Sequence, residues 1–189
     1  MEKRFKQKEL QAKTKIVVIT GAESTGKSVL TEWLAHHFQV PFIPEFARSY
    51  VENLHRKYNY SDVEKIAQQQ IRELQKIKEL KYPLVFVDTW LIITKIWFEE
   101  VFGHSPQWLE TEIRNTKIDL FLVCDTDLPW IPDPVRENGG ERRLYLQNRY
   151  IETIQKYEFS YKIVSGKNNS RFKNALQHLE LLKLISTKQ

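Results

Sequence analysis

Five apolar-rich runs punctuate the chain at Lys15–Thr20, Val40–Ile43, Leu84–Asp88, Ile118–Cys124 and Tyr161–Val164, each of strand length. Between them apolar residues recur at helical spacing. Leu30, Trp33, Leu34 and Phe38 form one such stripe, and Val63, Ile66, Ala67, Ile71, Leu74 and Ile77 form a second. Ser61-Asp62-Val63-Glu64 reads as a capping box opening that second helix. A third helix is predicted from about Leu91 to Phe102, stopping at Gly103 and Pro106, and a last one uses Phe172, Leu176, Leu179 and Leu182. Strands joined by helical crossovers predict an α/β fold, a five-stranded parallel sheet with helices on both faces.

The first strand empties directly into Gly21-Ala22-Glu23-Ser24-Thr25-Gly26-Lys27-Ser28, the G-x-x-x-x-G-K-S phosphate-binding loop. The chemistry needs this spacing. Gly21 and Gly26 let the backbone curl so that several N–H groups converge on an anion at a helix N-terminus. Lys27 then reaches the β- and γ-phosphates and the Ser28 hydroxyl is placed to ligate Mg²⁺. Asp88, at the tip of an apolar strand, is the expected second Mg²⁺ group, with Thr89 beside it. Glu45 follows the second strand. In open α/β sheets ligands collect beyond the strand ends, so Glu45 reads either as the group that orients and deprotonates an acceptor hydroxyl or as a helix-start carboxylate. Arg48 reads equally as a substrate or phosphate contact and as a solvated helix residue.

One irregular stretch, Asp125 to Gly140, carries three prolines and the Gly139-Gly140 pair. With Arg136, Arg142 and Arg143 around it, this segment reads as a lid whose arginines offset charge on a transferring phosphoryl group. Its alternative is a basic loop ahead of a solvated helix start. Asp133 is open between a ligand, a brace for an arginine and a turn residue. Trp33, Trp97 and Trp108 fit core packing, whereas Trp90 and Trp130 are placed to contact a planar ring. The five histidines show no metal-ligand spacing, and no zinc site is expected.

Charge sharpens the domain plan. Of the formal +5, residues 1–15 supply +4, with six basic and two acidic side chains, and the rest is nearly balanced. Residues 1–14 therefore read as a basic arm and 15–189 as the catalytic domain, with the lid at about 126–148. A basic tail is usually solvated, and no aromatic RNA-binding motif accompanies it, so no nucleic-acid partner is expected. No apolar run approaches the ~20 residues of a membrane span, no secretory pattern opens the chain, and Cys124 has no partner for a disulfide. A cytoplasmic protein is expected, with self-association left open.

Taken together, these pieces resemble the ribosylnicotinamide kinase domain of NadR-type proteins over roughly Lys15 to Leu182. The resemblance rests on the loop from Gly21 to Ser28, Glu45-Phe46-Ala47-Arg48-Ser49-Tyr50-Val51, Tyr60-Ser61-Asp62 with Ile66-Ala67, and Phe86-Val87-Asp88-Thr89. The lid stretch Pro129-Trp130-Ile131-Pro132-Asp133-Pro134-Val135-Arg136 and the late Ser165-Gly166…Ser170-Arg171-Phe172 complete it. It implies a P-loop NTPase fold of the kinase type and ATP- and Mg²⁺-dependent phosphorylation of nicotinamide riboside, a small nucleoside substrate. It also implies that Gly166 and Arg171 lie close to the adenine. Two positions depart from the family. Pro44 stands before Glu45 where an aromatic is expected, and Trp90 stands where a second carboxylate is expected after Asp88-Thr89. Trp90, Phe46 or Tyr50 would then supply the stack on the acceptor's ring. The G-x-F-x-P-x-H-x-G-H nucleotidyltransferase signature does not occur, which argues against adenylyl transfer.

Overall fold

β1 (Lys15–Thr20) is the central strand of a parallel sheet, with β3 (Leu84–Asp88) on one side and β4 (Leu120–Cys124) on the other. The short β2 (Phe42–Ile43) and β5 (Tyr161–Val164) form the two edges. The structure is a computed structural model that describes residues 13–132 and 138–181. Ile19 lies opposite Asp88 and Thr20 opposite Val123, so the strand ends that lead into the functional loops sit side by side.

Alternation along the strands divides the core in two. Val17, Ile19, Phe86 and Leu122 face α1 (Lys27–Phe38) and α7 (Asn169–Leu181). Val18, Val85, Val87, Phe121 and Val123 face α3 (Tyr60–Glu79), α4 (Leu91–Phe102), α5 (Gln107–Asn115) and α6 (Gly140–Lys156). Because helices cover both faces, the inner strands read as unbroken apolar runs rather than as alternating ones. Leu30 and Leu34 are fully buried under α1, each contributing about 1.5–3 kcal/mol of hydrophobic stabilisation. Among the described residues no helix is long and apolar enough to cross a membrane.

Local hydrogen bonding moves three predicted boundaries. The expected strand Val40–Ile43 keeps only its last two residues, because the Val40 N–H turns back to Ala35 O (3.0 Å) and closes α1 behind the left-handed Gln39. At the fourth strand the Asp119 carboxylate takes the Ile16 N–H at 2.9 Å, and the ladder begins at Leu120. The capping box of α3 uses Asn59 and Asp62 rather than Ser61 and Glu64: Asn59 Oδ1 accepts from Asp62 N at 3.1 Å and Asp62 Oδ2 from Asn59 N at 2.8 Å. Asp62 is fully buried and Ser61 exposed, so burial selects the earlier start. A short helix, α2 (Phe46–Glu52), connects β2 to this turn.

Candidate functional site

The loop after β1 is held at its two ends in conformations that favour glycine. Gly21 has φ 136°, and a Cβ there would stand 2.7 Å from Cys124 O. Gly26 is left-handed, φ 75°, at the N-cap of α1. Between them the Ala22 carbonyl accepts from Thr25 Oγ1 at 2.8 Å and from Lys27 Nζ at 3.0 Å. The Lys27 ammonium is thus folded back over the loop, where an entering phosphate oxygen would replace the carbonyl. The N–H groups of Ser24 through Ser28 form no backbone hydrogen bond among the described residues, which leaves them for an anion.

Asp88 ends β3 beside this loop. It is 3% exposed, and its Oδ1 has no hydrogen-bond partner. Burial, reinforced by the negative charge of Glu45, pushes its carboxyl up to about 6, against the pull of the Ser28 hydroxyl and Lys27. A buried carboxylate oxygen without a partner, next to a hydroxyl and a second carboxylate, is suited to a divalent cation. Among the described residues no group of three or more His, Cys, Asp or Glu side chains is arranged to hold a metal. The neighbouring Cys124 thiol is pushed up to about 11 by burial, too high to act as a nucleophile.

Glu45 is the N-cap of α2 but makes no capping bond with its side chain. It is half-buried and close enough to raise the Asp88 carboxyl. Phe46 and Tyr50 follow on α2 as a tilted ring pair, 5.7 Å between centroids. The Tyr50 hydroxyl donates to Asp62 Oδ1 at 3.1 Å. Arg48 Nε pairs with Glu52 Oε1 at 3.0 Å along the same helix. Trp90 does not join this group. It is 1% exposed, its indole turned into the layer beneath α4 and α6 and edge-on to Phe159 at 6.4 Å. The expectation that Trp90 stacks on a ligand is therefore corrected: as the N-cap of α4 it is drawn inward by the apolar core.

The arginines expected to meet ATP divide three ways. Arg136 and Asp133 lie outside the described residues, as do most of the basic arm and Leu182. Arg142 is exposed and drawn toward α4, with Nη2 donating to Glu100 Oε2 at 2.6 Å and its guanidinium over the Tyr145 ring. Arg143 and Arg171 are buried and bound to backbone. Arg143 donates to Glu23 O (2.8 Å), Leu128 O (2.9 Å) and Ser24 O (3.1 Å). Arg171 donates to Gly166 O (2.9 Å) and Val164 O (3.1 Å), and it pairs with the Asp127 carboxylate, whose other oxygen accepts from Gly166 N at 2.6 Å. Arg143 and Arg171 thus each hold backbone carbonyls of the loops around the site.

The side chains of Glu23 and Ser24 face the start and end of the proline-rich segment. Glu23 accepts from Trp130 Nε1 (3.4 Å) and from Asn138 N (3.1 Å) and Nδ2 (2.8 Å), while Ser24 Oγ bridges Ile131 N and O. Trp130 packs against Gly139, where a Cβ would come within 3.3 Å of its ring. Gln147 is a contributor that motif reading passed over. Its Oε1 accepts from Ala22 N at 2.8 Å and its Nε2 donates to Cys124 O at 2.9 Å. The signal was a glutamine beside Leu146 on the helix face that continues through Tyr150 and Ile154.

The family model described as "AAA domain" matches residues 16–171 of the chain. The chain is a homologue of the trifunctional NAD biosynthesis/regulator protein NadR of Escherichia coli (strain K12), 26% identical over 179 residues. That match covers 92% of this chain and 43% of the relative, so the chain spans less than half of that protein's length. Among solved structures, a crystal structure of NadR protein in complex with NR superposes with a TM-score of 0.76 at 21% identity, over 95% of this chain and 54% of the other. Thymidylate kinase from Ehrlichia chaffeensis superposes with a TM-score of 0.64 at 11% identity, over 90% and 99%. The sheet and helices are those of the P-loop kinase fold.

Proposed function

The chain belongs to the AAA domain family, and from that premise we propose that it is an ATP- and Mg²⁺-dependent kinase of a small nucleoside, with nicotinamide riboside as the acceptor and the cytoplasm as its setting. The observation that carries this reading is Asp88, buried with an unpartnered oxygen beside Ser28 and Lys27, at the strand end next to the phosphate loop. A loop with free N–H groups binds the triphosphate, and Lys27 exchanges the Ala22 carbonyl for a phosphate oxygen. Ser28 and Asp88 would hold Mg²⁺, which neutralises phosphate charge when bound. Glu45 orients the acceptor hydroxyl and takes its proton as the phosphoryl group is transferred. The homology to NadR supports phosphoryl transfer to a nucleoside-type acceptor, and the likeness to thymidylate kinase is one of fold.

A second acceptor is kept because Trp90 is buried and Pro44 precedes Glu45. Only Phe46 and Tyr50 of the three candidate rings then remain to stack on a base, and another nucleoside would suit them equally. The deciding experiment is ADP release over a panel of nucleosides that includes nicotinamide riboside, with hydrolysis in the absence of acceptor alongside. Turnover confined to nicotinamide riboside supports the first reading and turnover on another nucleoside the second. ADP release independent of any acceptor overturns both.

A further inference from the structure

We propose that Arg143 and Gln147 are positioning residues of the phosphate loop, through which α6 keeps the loop's N–H groups turned toward the bound anion. The inference rests on the nucleotide-binding reading above.

In a planar trans peptide the C=O and the following N–H point in opposite directions. A donor that holds a carbonyl outward therefore also sets the direction of the next N–H. Arg143 does this at two consecutive peptides. Nε holds Glu23 O, which orients the Ser24 N–H, and Nη2 holds Ser24 O, which orients the Thr25 N–H. Its Nη1 takes Leu128 O, so one guanidinium joins the phosphate loop, the segment after β4 and α6. Gln147 lies one helical turn further along the same face. It removes the Ala22 N–H from the nest and ties it to Cys124 O at the end of β4. Arg143 is 7% exposed and Gln147 5%.

The guanidinium suits this role and an ammonium does not. Three carbonyls in different directions need a planar fork of donors, whereas lysine presents a compact point charge. A direct contact to phosphate would tolerate the exchange better, since lysine also binds phosphate, as a point charge. A nest whose peptides are free to rotate must be reordered when the anion arrives, so losing the brace weakens phosphate binding itself, beyond any effect on folding.

The test is titration calorimetry of the full chain with inorganic tripolyphosphate, together with thermal melts, for Arg143→Lys, Arg143→Met and Gln147→Met. The expected result is a loss of about tenfold or more for both Arg143 variants, and of roughly threefold to tenfold for Gln147→Met, the scale of one charge-assisted or one neutral hydrogen bond. Tripolyphosphate binding by Arg143→Lys within about twofold of the unaltered chain overturns the proposal, because the side chain then acts by charge. Lower melting temperatures with unchanged affinity, measured well below melting, also overturn it, because the role is then structural alone. If neither Arg143 variant folds, Gln147→Met decides, and unchanged affinity there overturns the proposal. Failure of the unaltered chain to bind tripolyphosphate overturns the nucleotide-binding reading itself and this inference with it.

Discussion

Arg56 grips Asp62 with two prongs, Nη1 to Oδ2 at 2.6 Å and Nη2 to Oδ1 at 2.9 Å, with the carboxylate fully buried and the guanidinium half-exposed. The same carboxylate accepts from Asn59 N and the Tyr50 hydroxyl. One side chain thereby sets the start of α3 and the angle of α2, the helix that Glu45 opens. The Arg56 hydrogen bonds hold the Asp62 carboxyl well below the usual carboxylate range; burial opposes them, and the Asn59 and Tyr50 bonds assist.

The sign of the pH dependence follows. A carboxyl whose pKa is depressed on folding contributes stability above its unfolded pKa, and loses it as pH falls through the folded one. Asp62→Asn is expected to melt well below the parent chain at neutral pH. The gap should narrow below about pH 3, as the parent carboxylate takes up protons. Melting curves from pH 7 to pH 2 check this, and a gap independent of pH would dismiss the ion pair as its source.

Lys27→Ala and Asp88→Asn should each remove most phosphoryl transfer and leave a folded chain. Lys27 and Asp88 act on phosphate and metal charge, which matters more to the transition state than to packing. Asp88→Asn carries a second expectation. It replaces a buried carboxylate oxygen without a partner, so in metal-free buffer its melting temperature should equal or exceed the parent's. Near-parental kcat in either variant would take that residue out of the mechanism.

Glu45→Gln should lower kcat by about 10²-fold or more, the usual contribution of a positioned base, with the KM for ATP little changed. Its amide keeps the volume and loses the base. Steady-state kinetics in both substrates test it, and a raised ATP KM with unaltered acceptor kinetics would contradict the role.

Arg171→Ala separates a brace from a ligand. Four groups around Gly166 and Asp127 lose a donor, and Val164 O keeps a backbone one, from Asp125 N, at a cost of about 2–4 kcal/mol. For a chain of this size that is a fall in melting temperature of roughly 5–15 °C. Calorimetric melting decides: a variant as stable as the parent, with ATP binding alone weakened, would return Arg171 to direct contact.

Motifs and periodicity carry what is local. Gly21, Gly26, Lys27 and Ser28 were legible because a tight backbone turn can be made by few residues, and Asp88 because a carboxylate closing an apolar strand is conspicuous. The order of strands and helices was legible for the same reason, since amphipathic period depends on neighbours along the chain. By itself, the sequence determined an α/β sheet and a phosphate loop at its centre. From it Arg142 and Arg143 read as lid arginines facing a phosphoryl group, Arg171, by resemblance, as a neighbour of the adenine, and Trp90 as a ring placed to contact a planar ligand. Whether a guanidinium meets a phosphate, a carboxylate or a carbonyl depends on where α4, α6 and α7 settle against the sheet. That packing left Arg143 and Arg171 beneath loops whose carbonyls they bond, and drew Trp90 under α4, because a buried carbonyl without a partner and an exposed indole both cost free energy. Only the tertiary structure decided these roles, because they are contacts between segments more than a hundred residues apart for Arg143 and more than sixty for Trp90 and Phe159.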